Sequence, residues 1–362
     1  MAPLSPVTHV AGQRVGDKAW WERAHPSAPH NFRRRLALYL TPGSNVVIMD
    51  DSQLIREWIA ATARTLDTVE PSASLTDLRP LSTITADATV VGIGTSTRSA
   101  HEPSTVMHRI LRFLVEENGF RSVLLEGDET KSSELAEFVS TGRGDAREIL
   151  AEARSFWRTE EILGVLEWLR SYNEAHPADP VRLVEATEPA DTSWQDSLST
   201  IERHLAESVI EWHERTGDRI VYWGGLAHTV VGPRRLVTQS TSVERQRNAG
   251  SYLREHFGAD YRSIGVTFGN GTMPHEVPDP PEDYAEHTLS AAGLAPYVLD
   301  LHAVAPAPVR AWLSTPTKTR LIGPSYDPAN DAAYHLSGQS LDEWFDAVAH
   351  IPTVTPQRTL LH

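Results

Sequence analysis

TVVGIGTSTRSAHEPSTVMHRILRFLVEENGFRSVLLE, residues 89–126, decides the fold class. The short apolar run Thr89, Val90, Val91, Gly92, Ile93 predicts a strand over 88–93. A polar turn follows, then helical spacing over about 101–118, then a second apolar run over 121–126. Short apolar runs alternating with a helical period predict strands of a mainly parallel sheet covered by helices.

The alternation continues downstream. Helices are expected over 130–175, a strand over 181–186, a helix over about 194–216 and a strand over 219–223. A helix over 243–257, a strand over 260–268 and short strands near 297–301 and 320–322 complete the expectation. The fold class is therefore α/β, a mainly parallel central sheet flanked by helices with additional helical segments. Upstream, 53–66 has helical spacing and 32–40 is a shorter helical piece in a Pro-, His- and Arg-rich stretch. Residues 1–70 are expected to form an N-terminal extension whose helix packs on the body, and 71–362 the α/β domain.

Composition excludes several function classes. The 362 residues carry 33 Lys and Arg against 48 Asp and Glu, a formal charge of −15 with no basic stripe, so neither nucleic acid nor an anionic membrane is an expected partner. The chain has no cysteine, which removes disulfides, thiolate nucleophiles, thiolate zinc sites and iron–sulfur clusters together. The opening MAPLSPVTHVAGQRVGDK lacks a basic cluster followed by an apolar core, and no window approaches about twenty apolar residues. A cytoplasmic location is the expectation.

In open α/β sheets the ligand crevice lies outside the carboxyl ends of the strands. There the pattern gathers GTSTRSAHE after the first strand, Glu126 and Asp128 after the second, Glu185 and Glu188 after the third, and WGGLAH after the fourth. Thr95, Ser96, Thr97 and Ser99 offer hydroxyls and Arg98 a positive charge, the ingredients of a cradle for a carboxylate, sulfate or phosphate. A capped helix start with Arg98 paired to an acid is the plainer reading of the loop alone. The loop lacks the Gly-Lys-Ser/Thr of a P-loop and the three glycines of a dinucleotide fingerprint.

His101 and Glu102 open the helix and can act as acid or base, or simply complete the helix start. Glu126 emerges from an apolar strand, where a carboxylate is costly unless paired, so it is either a site acid or one half of a fixed ion pair with Arg98 or Arg158. Trp157, Arg158, Glu160 and Glu161 can wall the same cleft, as can Trp223. His228, after the Gly224-Gly225 turn, is a general acid, a substrate clamp or a satisfied structural histidine. His108 and Arg109 read as buried structural groups. No HExxH or comparable ligand spacing joins the histidines and carboxylates, and no G-x-S-x-G elbow occurs, so no metal, no other cofactor and no serine nucleophile is expected.

Taken in order, these motifs resemble the erythromycin esterase family. That family's pattern G-E-x-T-H-G-x-x-E followed by K-H-R-x-L-R-F-L-V corresponds to GTSTRSAHE and MHRILRFLV here, L-E-A-D to LEGD, W-R-x-x-E to WRTEE, and W-A-H-N-A-H to WGGLAH. GSYLREHFGADYRSIGVTFGNGT, LAPYVLDLH, RLIGPSYDP and SLDEWFDAVAHI are similar to its closing half, so the resemblance spans about 75–355. It implies an α/β fold grouped with the Tiki and ChaN-like proteins, no required metal, and a histidine that activates water with help from a glutamate and a later histidine.

The sequence departs at each part of that unit. Thr95 stands at the glutamate position, Arg98 at the base position and Gly225, followed by Leu226, at the first histidine of the later pair. Glu102, Glu126, Asp128, Arg158, Glu161 and His228 are retained, and His101 occupies a variable position. The helical excursion that the family carries after its third strand is much shorter here. Arginine, with a pKa above about 12, is no general base at neutral pH.

The resemblance with these losses leads to one functional expectation: a divergent enzyme of small-molecule biosynthesis, non-hydrolytic, which binds an anionic group and promotes intramolecular displacement or ring closure. Its catalytic candidates are His101, Glu102, Glu126, Asp128 and His228, and its binding candidates are Thr95, Ser96, Thr97, Arg98, Arg158, Glu161 and Trp223. The alternatives are an ester hydrolase rewired to use His101 and a non-catalytic subunit. The expected partner is an anionic small molecule, with a partner protein or a second copy of the chain as a further candidate.

Overall fold

Val90 and Val91 are both fully buried but belong to different cores, one on each face of a sheet. That division follows from the two-residue period of a strand. A computed structural model describes residues 37–39, 47–126, 131–185, 198–232, 235–323 and 325–360. It begins with an antiparallel ladder of β1 (Ala37–Tyr39) and β2 (Val47–Met49), then α1 (Asp51–Thr62) and β3 (Arg64–Thr65). Next come α2 (Ser82–Thr85), β4 (Val90–Thr95), α3 (His101–Glu116) and β5 (Ser122–Leu125). Helices α4 (Ser132–Thr141), α5 (Ala146–Glu152) and α6 (Glu160–Ala175) precede β6 (Arg182–Leu183), α7 (Leu198–Thr216), β7 (Ile220–Gly225) and α8 (Leu226–Thr229).

The second half contains β8 (Arg235–Gln239), β9 (Ser242–Gln246), α9 (Ala249–Phe257), β10 (Tyr261–Thr272) and β11 (Glu276–Val277). It closes with α10 (Ala285–Ser290), β12 (Tyr297–Asp300), α11 (Ala307–Leu313), β13 (Thr319–Arg320), β14 (Tyr334–Ser337), α12 (Leu341–Trp344) and β15 (Ala347–Val354).

The main sheet has nine strands in the order β3-β12-β15-β10-β4-β7-β5-β6, with β11 attached to β10. From β15 to β6 every pairing is parallel, and β3, β12 and β11 add antiparallel edges. This is the mainly parallel, helix-flanked α/β sheet expected from the alternation. On one face α3 buries Val106, Ile110, Phe113 and Leu114 against Val91, Ile93, Val123 and Ile264. Burying a side chain of the size of Phe113 contributes about 1.5–3 kcal/mol. On the other face Val209 and Trp212 of α7 and Leu253 of α9 cover Val90, Leu124, Tyr222 and Tyr261.

Three segments differ from the expectation. Residues 243–246 form β9 rather than the start of a helix, because Ser240, at φ 59°, lets a two-residue turn pair β8 with β9. The helix begins only at Ala249. β8, β9, β13 and β14 form a separate four-stranded antiparallel sheet. Ala37–Tyr39 is a strand rather than part of a helix, and the rest of 32–40 lies outside the described residues. β15 has no counterpart in the expectation, although it lies between β10 and β12 near the middle of the sheet.

Candidate functional site

β4, β7 and β5 are adjacent and parallel, so the residues leaving their carboxyl ends meet. Glu126 follows β5 directly, its backbone N–H bonded to the Trp223 carbonyl of β7 at 3.0 Å. Its carboxylate is 5% exposed. Oε1 pairs with Arg98 Nη2 at 2.6 Å and faces His228 Nε2 at 3.5 Å, while Oε2 accepts the Gly225 N–H at 2.8 Å. Burial pushes the Glu126 carboxyl up, but the charges of Arg98 and His228 and these hydrogen bonds outweigh it and hold the group below its ordinary range.

Arg98 reaches Glu126 from the loop after β4. Its guanidinium lies 4.2 Å from the ring centre of Phe156 and 5.3 Å from that of Trp157, which fixes its plane and leaves a fifth of the side chain exposed. His228 is on α8, the single turn after β7. Its Nδ1 lies 2.8 Å from Glu202 Oε1, so the imidazole is suspended between two carboxylates. Burial pushes His228 down, yet Glu126 and Glu202 more than compensate and raise it above the ordinary histidine value. A histidine so held keeps its proton to higher pH than a free imidazole does, and its Nε2 faces Glu126.

Glu202 was not among the sequence candidates. It is completely buried on α7, accepts the Ala249 N–H at 2.8 Å and also bonds Arg235. A signal was available in the pattern. Glu202 precedes Leu205, Ala206, Val209 and Trp212 at three- and four-residue spacing, so it occupies an apolar stripe where a carboxylate needs partners.

The other candidates separate into two groups. His101 turns away from Glu126: its Nδ1 lies 2.6 Å from Glu161 Oε1, and Glu161 also accepts the Arg358 backbone N–H at 3.1 Å. The hydrogen bond and charge of Glu161 raise His101 above its ordinary value against a smaller opposing effect of burial. Glu102 binds the backbone N–H and hydroxyl of Thr355, each at 2.7 Å, and Arg158 Nε donates to the Ala153 carbonyl at 2.7 Å. Glu185 is exposed and accepts from Ser133 at 3.3 Å. Asp128 and Glu188 lie outside the described residues.

Thr95, Ser96 and Thr97 are buried and stitched into the fold. Thr95 Oγ1 donates to the Thr97 carbonyl at 2.6 Å, the Ser96 carbonyl accepts from Ile322 at 2.8 Å, and Thr97 Oγ1 contacts the Met273 sulfur at 3.5 Å. No side chain caps α3; its N-cap is Ala100, and the His101 N–H is taken by the Thr355 carbonyl at 2.9 Å. Trp223 is buried within the sheet. Among the described residues no cluster of three or more His, Asp or Glu side chains is arranged to hold a metal ion, and no helix is long and apolar enough to cross a membrane.

The family model for erythromycin esterase matches residues 115–185 and 181–354. The chain belongs to the erythromycin esterase family. A curated relative, the erythromycin esterase type II of Escherichia coli, is 28% identical over 119 residues, 33% of this chain and 28% of that protein. The matched region thus spans under a third of that esterase's length. Three solved structures share the fold. A Bacillus cereus protein has a TM-score of 0.70 at 20% identity, covering 85% of this chain and 99% of its own. A succinoglycan biosynthesis protein has a TM-score of 0.71 at 19% identity, covering 84% and 97%. The erythromycin esterase EreC, as a histidine-to-asparagine mutant in its open conformation, has a TM-score of 0.61 at 14% identity, covering 83% and 100%. The matched residues begin after the loop that carries Arg98, and they include Glu126 and His228.

Proposed function

We propose that the chain is a divergent enzyme of the erythromycin esterase family that acts on an anionic small molecule of biosynthesis without hydrolysing an ester. The observation that carries this reading is the ion pair of Arg98 with Glu126 at 2.6 Å. A guanidinium at that place cannot take a proton from water, but it can hold a carboxylate, sulfate or phosphate. The stack on Phe156 and Trp157 fixes its fork in one orientation, as anion recognition requires.

The charges support the same reading. Arg98, Arg235 and protonated His228 face Glu126 and Glu202, which leaves one positive charge for the ligand. As the bond to an anionic leaving group beside Arg98 breaks, the group takes a proton from His228 Nε2, the internal nucleophile bonds the carbon it leaves, and the nucleophile's own proton restores His228. Orientation of an internal nucleophile then provides much of the remaining acceleration, which is the chemistry of intramolecular displacement or ring closure.

The purified protein is tested first against p-nitrophenyl acetate and a macrolactone, where no turnover above background is expected. The native host is then made to carry Arg98→Ala, and its small-molecule products are compared with wild type. Loss of one product with the fold intact is the expected result. Ester turnover that disappears in His101→Ala, or an unchanged product profile in Arg98→Ala, overturns the proposal.

A further inference from the structure

Helices α3 and α6 run side by side, in contact at His101–Glu161 and again at His108–Trp168. The two contacts are seven residues apart along each helix, or about 10 Å. Between them opens a groove of about 470 Å³ lined by His101, Thr105, His108, Glu161, Gly164 and Trp168, with Arg358 beside Glu161. It shares no residue with Arg98, Glu126 and His228.

Two features of its walls have no role inside the protein. Gly164 lies in the interior of α6, where glycine is a poor helix former, yet a Cβ built there meets no atom within 4 Å. No packing contact requires the glycine; its effect is to keep the groove open. His108 is 5% exposed and its Nε2 has no hydrogen-bond partner among the described residues. Burial and the nearby Arg112 push His108 down to about 3, so it lines the groove as a neutral ring, with Nε2 itself buried.

The charged groups are distributed unevenly. Arg112 is occupied by Glu116 at 2.8 Å and by backbone carbonyls, and Glu160 is held by both terminal nitrogens of Arg147 at 2.8 and 2.9 Å. At the His101 end, Glu161 occupies His101 Nδ1 and reaches Arg358 Nε at 3.4 Å, leaving His101 Nε2 and the exposed Arg358 fork to a ligand. One end of the groove therefore offers two cationic donors over one buried carboxylate. The other end offers the indole of Trp168 with His108 set edge-on at 5.6 Å.

We propose that this groove binds a small carboxylate built on a flat ring. The carboxylate is taken by His101 Nε2–H and the Arg358 guanidinium, and the ring lies over Gly164 against the touching pair of His108 and Trp168. This is a second ligand site, distinct from the one at the strand ends, and its failure would leave the reading of Arg98 untouched.

Calorimetric titration of the full chain tests it, with 1-naphthylacetate, indole-3-acetate and 4-biphenylacetate as probes. Saturable one-to-one binding is expected, weakened at least tenfold in Arg358→Gln, in His101→Gln and for the neutral 1-naphthylacetamide. Gly164→Leu should abolish binding with a melting temperature equal to or above that of wild type, because leucine favours the helix and enters open space. The absence of saturable binding by all three acids overturns the proposal. So does wild-type affinity in a folded Gly164→Leu protein, or tighter binding of 1-naphthyl phosphate than of 1-naphthylacetate.

Discussion

Glu202 Oε1 lies 2.8 Å from His228 Nδ1, and the same carboxylate bonds Arg235 and the Ala249 N–H. One buried acid thereby fixes the ring orientation of His228 and the charge balance behind it. Glu202→Gln keeps the shape and removes the charge, leaving Arg235, 3% exposed, without its counter-ion. Breaking a buried pair from one side costs about 3–5 kcal/mol. Urea unfolding should report a loss of that order, partly recovered in Glu202→Gln/Arg235→Met. A stability equal to wild type in the single variant would show that the pair is solvated.

Gly224 approaches Glu126 from the neighbouring strand so closely that an added Cβ would lie 2.5 Å from Glu126 Oε2. Gly224→Ala must push the carboxylate off the Gly225 N–H, which it accepts at 2.8 Å. Overpacking of this kind costs about 1–3 kcal/mol. With Glu126 displaced, His228 loses part of the charge that raises it, so its titration midpoint should fall. Imidazole proton shifts followed against pH measure this, and an unmoved midpoint would mean that Glu202 alone sets the His228 charge.

How much of this was legible follows from particular residues. β4, α3 and β5 were readable because apolar periodicity survives there without interruption, and the convergence of Arg98, Glu126 and His228 followed from their common place after the carboxyl ends of strands. β15 was hidden by its own chemistry. Its run AVAHIPTV carries a histidine and a proline, and proline usually marks an edge or a break. In the fold His350 is buried between Thr267 and Ser290, at 3.0 and 2.9 Å, and Pro352 lies at the position between two paired residues, Ile351 and Thr353. The direction of His101 was equally hidden. Glu161, which captures it, and Arg358, which bonds Glu161, lie 60 and 257 positions further along the chain, so helix periodicity could not report them.

Arg98→Lys retains the charge and removes the planar fork. Stacking on Phe156 and Trp157 at 4.2 and 5.3 Å is lost with it. A contact of this type at a partly exposed site is worth about 0.5–1 kcal/mol, so the fold should survive with a small fall in melting temperature. Product formation in the native host should drop tenfold or more, because lysine offers a mobile point charge where a bidentate donor is needed. Full product formation by the lysine variant would show that charge alone suffices.

Glu286 supplies a pH test that leaves the strand-end site intact. Its carboxyl is fully buried. Oε1 accepts from the Arg320 N–H at 3.1 Å and from the Thr319 hydroxyl, while Oε2 has no partner among the described residues. Burial raises it from 4.5 to about 7, and the hydrogen bonds from Thr319 and Arg320 oppose the rise without cancelling it. The folded state therefore holds a proton that the unfolded chain releases near 4.5. The stability linked to this proton is fully present below 4.5 and is lost as pH rises through about 7. Glu286→Gln imitates the protonated acid and removes that dependence. Wild type and variant should have similar unfolding free energies at pH 4, and above pH 7 the variant should be the more stable of the two. Parallel stability curves across this range would mean that Glu286 is ionised in the folded protein, with the nearby Arg320 carrying the balance.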